Sequence, residues 1–295
     1  IEYQLRGSTI TEQELNLTTA ERQRLWEALV ENYRPENRVY RYNFFFNNCA
    51  TRPAALIEKV VGQVDYHYPY TAQTFRSLIN YCTRHHAWLT FGCDLALGSP
   101  TDQEATLHEM LFLPDYLREA FAKAEIIDAQ GQHRPLVSKT HVIEAAEPDE
   151  PEKDLWDLLS PLRLGWLIFA ITNVITLLGR FQKRAYKGLD ILLFGLAGLA
   201  GCVLFFLAFF SVHPCTWPNY SLLWLHPFHL VGVILFCINK AQRATYWYHF
   251  INFAALTLLF AGWAFLPQQL NPAFIPLAAS LWLRSARGIN KKKWT

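Results

Sequence analysis

The residue best suited to covalent chemistry is Cys49, in the run Tyr40-Arg41-Tyr42-Asn43-Phe44-Phe45-Phe46-Asn47-Asn48-Cys49-Ala50-Thr51-Arg52-Pro53. Oriented N–H groups at the start of a helix favour thiolate over thiol and can receive an oxyanion. The spacing puts Cys49 at such a corner. Tyr40, Tyr42, Phe44 and Phe46 alternate with Arg41, Asn43 and Phe45, the period of a strand with one buried face, and Asn47-Asn48 end it. Leu56, Ile57, Val60 and Val61 then share one face of a helix from Ala54 to Val61, which stops at Gly62. Pro53 has no N–H and belongs in the first turn, with Thr51 as N-cap. Asn48 either supplies a donor beside the thiol or only ends the strand. The competing reading makes Cys49 a small buried hydrophobe; its polar neighbours Asn48, Thr51 and Arg52 argue against that.

Other groups are weighed against this one. His67, His85, His86 and His108 share the polar part of the chain with Cys49 and are candidate bases; surface or satisfied core is the plainer reading of each. Arg52 and Arg76 have the chemistry to contact a lipid phosphate, or form surface ion pairs. The six cysteines show no metal-ligand spacing, and neither a metal nor a cofactor is expected. A Cys82–Cys93 disulfide is open if this part lies outside the cytoplasm.

The elements carrying these residues fall into two unlike halves. Of 295 residues 52% are hydrophobic, but the charge lies before about residue 155 and the apolar residues after it. Residues 1–143 read as an extracytoplasmic α+β domain, with Ile1–Leu5 as a strand. Helix starts lie at Thr11 and Thr18, the second followed by a stripe of Leu25, Trp26, Leu29 and Val30 assigned to the core. A helix from Thr74 to Tyr81 and a closing hairpin over 125–143 follow. Residues 144–155 are an acidic linker, with six acidic side chains and two prolines between Glu144 and Asp154.

Residues 156–288 hold the apolar runs Leu164–Leu178, Leu189–Val212, Leu222–Ile238 and Phe250–Leu266. A shorter fifth run, Pro272–Leu283, requires Arg284 and Arg287 to snorkel. This is an all-α transmembrane bundle of about five helices. Basic residues follow the first, third and fifth runs, and 289–295 is a basic tail, whereas the loops His213–Tyr220 and Pro267–Asn271 carry no Lys or Arg. Basic loops stay in the cytoplasm, which makes the chain a multi-pass membrane protein with the Cys49 domain outside the cytoplasm and a cytoplasmic C-terminus. Trp217, Tyr220 and Trp224 fit an aromatic belt. Nucleic-acid binding has no footprint, because the basic clusters are loops at the membrane.

Tyr42-Asn43-Phe44, Asn48-Cys49-Ala50-Thr51-Arg52, Thr74-Phe75-Arg76, Phe91-Gly92-Cys93-Asp94-Leu95-Ala96-Leu97-Gly98 and Met110-Leu111-Phe112-Leu113-Pro114, taken in order, resemble the Lnb family, lipoprotein N-acyltransferases of the Bacteroides type. The loop from Trp217 to Pro227 is similar to that family's membrane part. The resemblance implies a papain-like domain with a Cys–His pair, Cys49 as nucleophile and Asn48 and Thr51 in support of it. Its acyl donor is a phospholipid, its acceptor a diacylglyceryl lipoprotein, and its setting the lipid bilayer. The family's histidine lies in a Gly-His-Thr strand upstream of the cysteine. That motif does not occur in this chain, which implies that the chain starts after it and would be inert alone.

Two rival readings remain. One is a membrane-anchored, papain-like cell-wall peptidase or amidase. The other is a non-enzymatic receptor or transporter with a structural domain, against which Asn173 stands as almost the only strongly polar residue in the spans.

Overall fold

The structure is a computed structural model, and it describes residues 2–5, 7–69, 71–144 and 159–290. In chain order the elements of the first half are α1 (Glu2–Leu5), β1 (Ile10–Leu15), α2 (Thr19–Tyr33), α3 (Thr51–Val61), β2 (Gln63–Tyr66), β3 (Gln73–Thr74), α4 (Phe75–Thr83), α5 (Ala87–Ala96), β4 (Glu104–Ala105), α6 (Leu107–Met110), α7 (Pro114–Lys123), β5 (Ala124–Ile127), β6 (His133–Pro135) and β7 (Val137–Ile143). The second half holds α8 (Pro161–Phe181), α9 (Lys187–Phe209), α10 (Phe228–Cys237), α11 (Gln242–Gly262) and α12 (Phe274–Ile289). The chain forms two compact units. One comprises 1–73 and 104–152, the other 74–103 and 153–295. The linker over 144–155, from residue 145 on, and the last five residues of the basic tail lie outside the described residues.

In the first unit β1 pairs antiparallel with β7, Ile10 opposite Ile143, and β2, β5 and β6 make a second antiparallel sheet. Its core is Leu17, Ala54, Val61, Phe121, Ala124, Ile126 and Leu136. Four local expectations are corrected. Residues 2–5 form a helical turn rather than a strand, and Thr11 lies in β1 rather than opening a helix. The hairpin turning at Gly131 joins β5 to β6, while β7 leaves it to pair with β1. Most of the apolar stripe of α2 faces out, with only Leu25 packed inward: Trp26 is 65% exposed and Leu29 and Val30 are close to half exposed.

Glu21 sets that rotation. Thr18 and Glu21 form a capping box, and Glu21, buried, also binds Arg134 at 2.5 Å. The inward face is therefore Glu21, Leu25, Ala28 and Asn32. Burial works to raise the Glu21 pKa, but hydrogen bonds from the Thr18 amide and hydroxyl and from Arg134 outweigh it and hold the carboxyl below its ordinary 4.5. A depressed carboxyl contributes stability above its unfolded pKa and loses it as pH falls through the folded value. Glu21→Gln is expected to destabilise this unit by about 2 kcal/mol at neutral pH. Hydrogen exchange of the β1–β7 amides should report the loss, and the gap to the unsubstituted protein should close below pH 4.5.

The second unit holds the apolar helices. Pro161–Phe181, Lys187–Phe209, Pro214–Cys237 and Gln242–Phe265 are each long and apolar enough to cross a membrane. The 16 residues of α12 reach about 24 Å, short of a ~30 Å hydrocarbon core, and pack against α8 and α11. Arg284 does not snorkel. It is 3% exposed, its Nε donates to buried Asp190 at 2.6 Å and its Nη1 to Thr176 at 2.9 Å. The spans are thus less apolar inside than Asn173 alone suggested. His229 also lies fully buried, bonded to Tyr248 and the Trp224 carbonyl, and Asn252 donates to Ser285.

Close packing sets the α9–α10 contact. A Cβ on Gly201 would lie 2.5 Å from the His226 carbonyl carbon, and one on Gly198 would meet Leu230 at 2.8 Å.

Candidate active site

The run before Cys49 is a tight loop, not a strand. Asn43 and Asn47 exchange backbone hydrogen bonds at 3.0 Å, and the Asn43 side chain accepts from the Phe45 and Phe46 amides. A side chain that satisfies the amides two and three residues on closes a turn that alternation alone cannot foresee. Phe45 fills the core side of this loop, 3% exposed and edge-on to Phe112 with centroids 5.1 Å apart. Tyr42, Phe44 and Phe46 stay nearly half exposed.

Asn48 then starts the helix. Its carbonyl accepts from the Arg52 amide, and its side-chain Oδ1 accepts from the Ala50 and Thr51 amides at 2.8 and 2.9 Å. The Asn48 side chain thus braces the turn into α3, a role expected of Thr51, whose Oγ1 instead accepts from the Asn48 amide at 2.8 Å. Asn48 Nδ2 donates to the carbonyls of Phe44 and Phe112 at 2.9 and 2.8 Å. Every polar atom of this buried side chain is occupied. It has no donor left for an oxyanion, which corrects that expectation for Asn48; its role is to hold the corner.

Cys49 follows in the turn that leads from Asn48 into α3. It is exposed, so the buried-hydrophobe reading fails, and among the described residues it has no hydrogen-bond partner on nitrogen or sulfur. The positive end of α3 faces it. Burial, with Cys49 and Tyr40 adding, pushes the Tyr42 phenol above its ordinary 10.0.

The other sequence-derived residues separate clearly. Arg52 stacks on Tyr40 at 4.0 Å and donates to Asn32 at 2.8 Å, with donors to spare. Arg76 is no surface phosphate contact. It is fully buried, and its guanidinium is spent on Asp94, Asp102 and the carbonyls of Leu97 and Gly98. Cys82 and Cys93 are free thiols, not a disulfide. Burial, with Asp94 beside it, raises the Cys93 pKa above 9.0 and makes it a poorer nucleophile. His108 pairs with Glu58, which also accepts from Tyr66, and His67 and His133 share Glu125. No described histidine bonds to Cys49.

What sequence reasoning missed is the purpose of the Phe91–Gly98 segment, which lies in the second unit. Asn219 donates to the carbonyls of Leu95 and Ala96, Gln268 to that of Leu97, and Asn271 to the Asp94 carboxylate. The Gly98 and Ser99 amides donate to the carbonyls of Cys215 and Pro218. At Gly98 a Cβ would lie 2.3 Å from the Pro218 oxygen, so only glycine allows this approach. Two separately noted motifs, Phe91–Gly98 and the loop Trp217–Pro227, are the two faces of one contact. The signal available was a polar residue set in each apolar segment, Asp94 in the first and Asn219 in the second.

A small α+β unit presenting an exposed cysteine at the entry to a helix, followed among the described residues by five helices and four apolar segments of spanning length, defines a membrane protein with an extramembranous domain. Residues 1–81 match the Lnb N-terminal periplasmic domain and residues 152–293 the Lnb transmembrane domain. The chain belongs to the Lnb family, with a periplasmic N-terminal domain and a membrane-associated role in lipoprotein processing. No curated protein and no solved structure matches it.

Proposed function

We propose that the protein is a lipoprotein N-acyltransferase in which Cys49 is the nucleophile. The observation that carries this reading is an exposed, unbonded thiol in the turn that enters α3, at a corner locked by Asn48 and Phe112. The thiolate attacks the ester carbonyl of a phospholipid acyl chain. A thioester forms, the ester C–O bond breaks, and the lysophospholipid alkoxide takes the proton the thiol gave up. The α-amino group of a diacylglyceryl lipoprotein's terminal cysteine then attacks the thioester. An amide forms and the thiol is regenerated.

The Cys49 N–H supports the oxyanion, and Arg52 contacts the lipid phosphate with its spare donors. Thr51 supports the corner through its hydroxyl. The base is a histidine, as the resemblance implies, and it is not one of the ion-paired His67 and His108. In the second unit, an apolar cavity of about 710 Å³ lined by Phe205, Phe209, Trp217, Leu222, Leu223 and Phe228 suits an acyl chain.

Mass spectrometry of the N-terminal lipopeptide of a lipoprotein, from cells with and without the gene, tests the reading. Loss of the third acyl chain is expected, and unchanged triacylation would refute it. A reporter after Lys293 is expected to read as cytoplasmic and one inserted in 144–154 as periplasmic, because the basic loops alternate with uncharged ones in an inner-membrane, multi-pass arrangement. Reversed readings would remove Cys49 from the compartment where lipoproteins mature.

A further inference from the structure

We propose that α5 is an interfacial helix whose outer side is seated in the acyl chains at the surface of the bilayer. Its amphipathicity is inverted. At about 3.6 residues per turn, Ala87, Thr90, Phe91, Asp94 and Leu95 fall on one side of the helix, and Trp88, Leu89, Gly92, Cys93 and Ala96 on the other. The first side is turned inward. Phe91 and Leu95 pack against the core of the helical unit, Thr90 bonds to Thr83, and Asp94, 3% exposed, is bound by Arg76 and Asn271. On the second side Trp88, Leu89 and Gly92 are exposed, Leu89 at 53%, and no residue is charged. The helix thus keeps its one charge inside and turns carbon outward. A helix at a water-washed surface is arranged the other way round.

The anchoring of its two ends indicates what covers the outer side. Trp88 Nε1 donates to the Leu159 carbonyl at 3.1 Å, just before α8 begins at Pro161. At the other end Asn219 donates to the carbonyls of Leu95 and Ala96, and the Gly98 amide to that of Cys215, so this end is fastened to the loop between α9 and α10. As consecutive spans α8 and α9 cross in opposite directions, which puts the start of α8 and the end of α9 on one side of the membrane. With 10 residues and a length of about 15 Å, α5 therefore lies across that rim, along the bilayer rather than through it.

The occupant follows from continuity. α5 packs against both α8 and α9, and the first turns of α8 expose Leu162, Trp166 and Leu167, as a span exposes side chains to lipid. Through Trp88 the outer side of α5 adjoins that surface. An indole suits this depth, with its rings among the chains and its N–H on a carbonyl. Arg84, His85 and His86, exposed just before the helix, meet the headgroup layer. Trp217, Pro218 and Asn219 also line the apolar cavity, so α5 ties the wall of that cavity to the membrane surface. None of this rests on the assignment of Cys49, and a protein inactive in acyl transfer should still show it.

The test is photocrosslinking of the whole protein in phospholipid nanodiscs. p-Benzoylphenylalanine introduced at Leu89 is expected to give an intact-mass shift of one phospholipid, as the same group should at Ile171, exposed within α8. A lipid adduct at Ile171 with none at Leu89 would mean that α5 faces water, and would overturn the proposal. An adduct between two copies of the protein at Leu89 would make this side a self-interface and overturn it as well. If the Leu89 variant fails to fold, hydroxyl-radical footprinting of the unsubstituted protein in nanodiscs decides. Trp88 and Leu89 should be oxidised no faster than Trp166 and Leu167 of α8, residues of comparable exposure. Oxidation several times faster than theirs overturns the lipid seat.

Discussion

Replacing Cys49 with serine is expected to reduce N-acylation by at least about a thousandfold while expression and membrane insertion stay unchanged. The side chain is exposed and carries no hydrogen bond, so losing the sulfur disturbs nothing in the corner. Asn48, Phe45 and Phe112 hold that corner, and none of them touches the substituted atom through a bond. A hydroxyl in the same place ionises far less readily than a thiol, and a helix start lowers a pKa only in part. Cys82→Ser and Cys93→Ser are the controls and should keep at least partial activity. So should His67→Ala and His108→Ala, whose partners are Glu125 and Glu58. Lipopeptide mass spectrometry in cells reads all five. Equal losses at the three cysteines would mean that Cys49 acts structurally.

The second large effect lies far from the thiol in sequence. Arg76→Met is expected to cost about 3–5 kcal/mol, because it leaves buried Asp94 and partly buried Asp102 without their cation. It also strips the donor from the carbonyls of Leu97 and Gly98, the residues that meet Gln268, Cys215 and Pro218. Lysine, a point charge with three donors, should recover only part of what a planar fork with five supplies. Adding Asp94→Asn and Asp102→Asn to Arg76→Met should recover more, since the damage comes from uncompensated carboxylates. Thermal stability and monodispersity of the detergent-solubilised protein read the series. An Arg76→Met protein as stable as the original would show that the buried cluster contributes nothing.

How much of this could be read in advance depends on the range of the interaction. The membrane runs were legible because bilayer thickness fixes their length and composition. The Thr18–Glu21 capping box was legible because both partners lie within one turn. Cys49 at a helix start was legible too, from Pro53 and the apolar face of α3. The strand before it was not, since the Asn43 side chain bends an alternating sequence into a loop. The stripe on α2 was misread because Glu21, through Arg134, outvotes Trp26, Leu29 and Val30 in setting the rotation. Arg76 looked like a phosphate ligand because its partners lie 18 to 26 residues away. No local pattern announces such a cluster.

The Asp190–Arg284 pair bears on how the protein is made. The two residues are 94 positions apart, so Asp190 enters the membrane well before its partner is synthesised. Until α12 arrives, α9 carries in its first turn a carboxylate without its cation, a group that is costly to hold away from water. Helix α12 in turn is short and bears an arginine, so alone it is a poor substrate for insertion. Each is retained only in the company of the other. Integration of the bundle therefore completes late and all at once. A chain stalled between the two helices would expose an unpaired charge to the membrane, a mark by which quality control can tell an unfinished copy from a finished one.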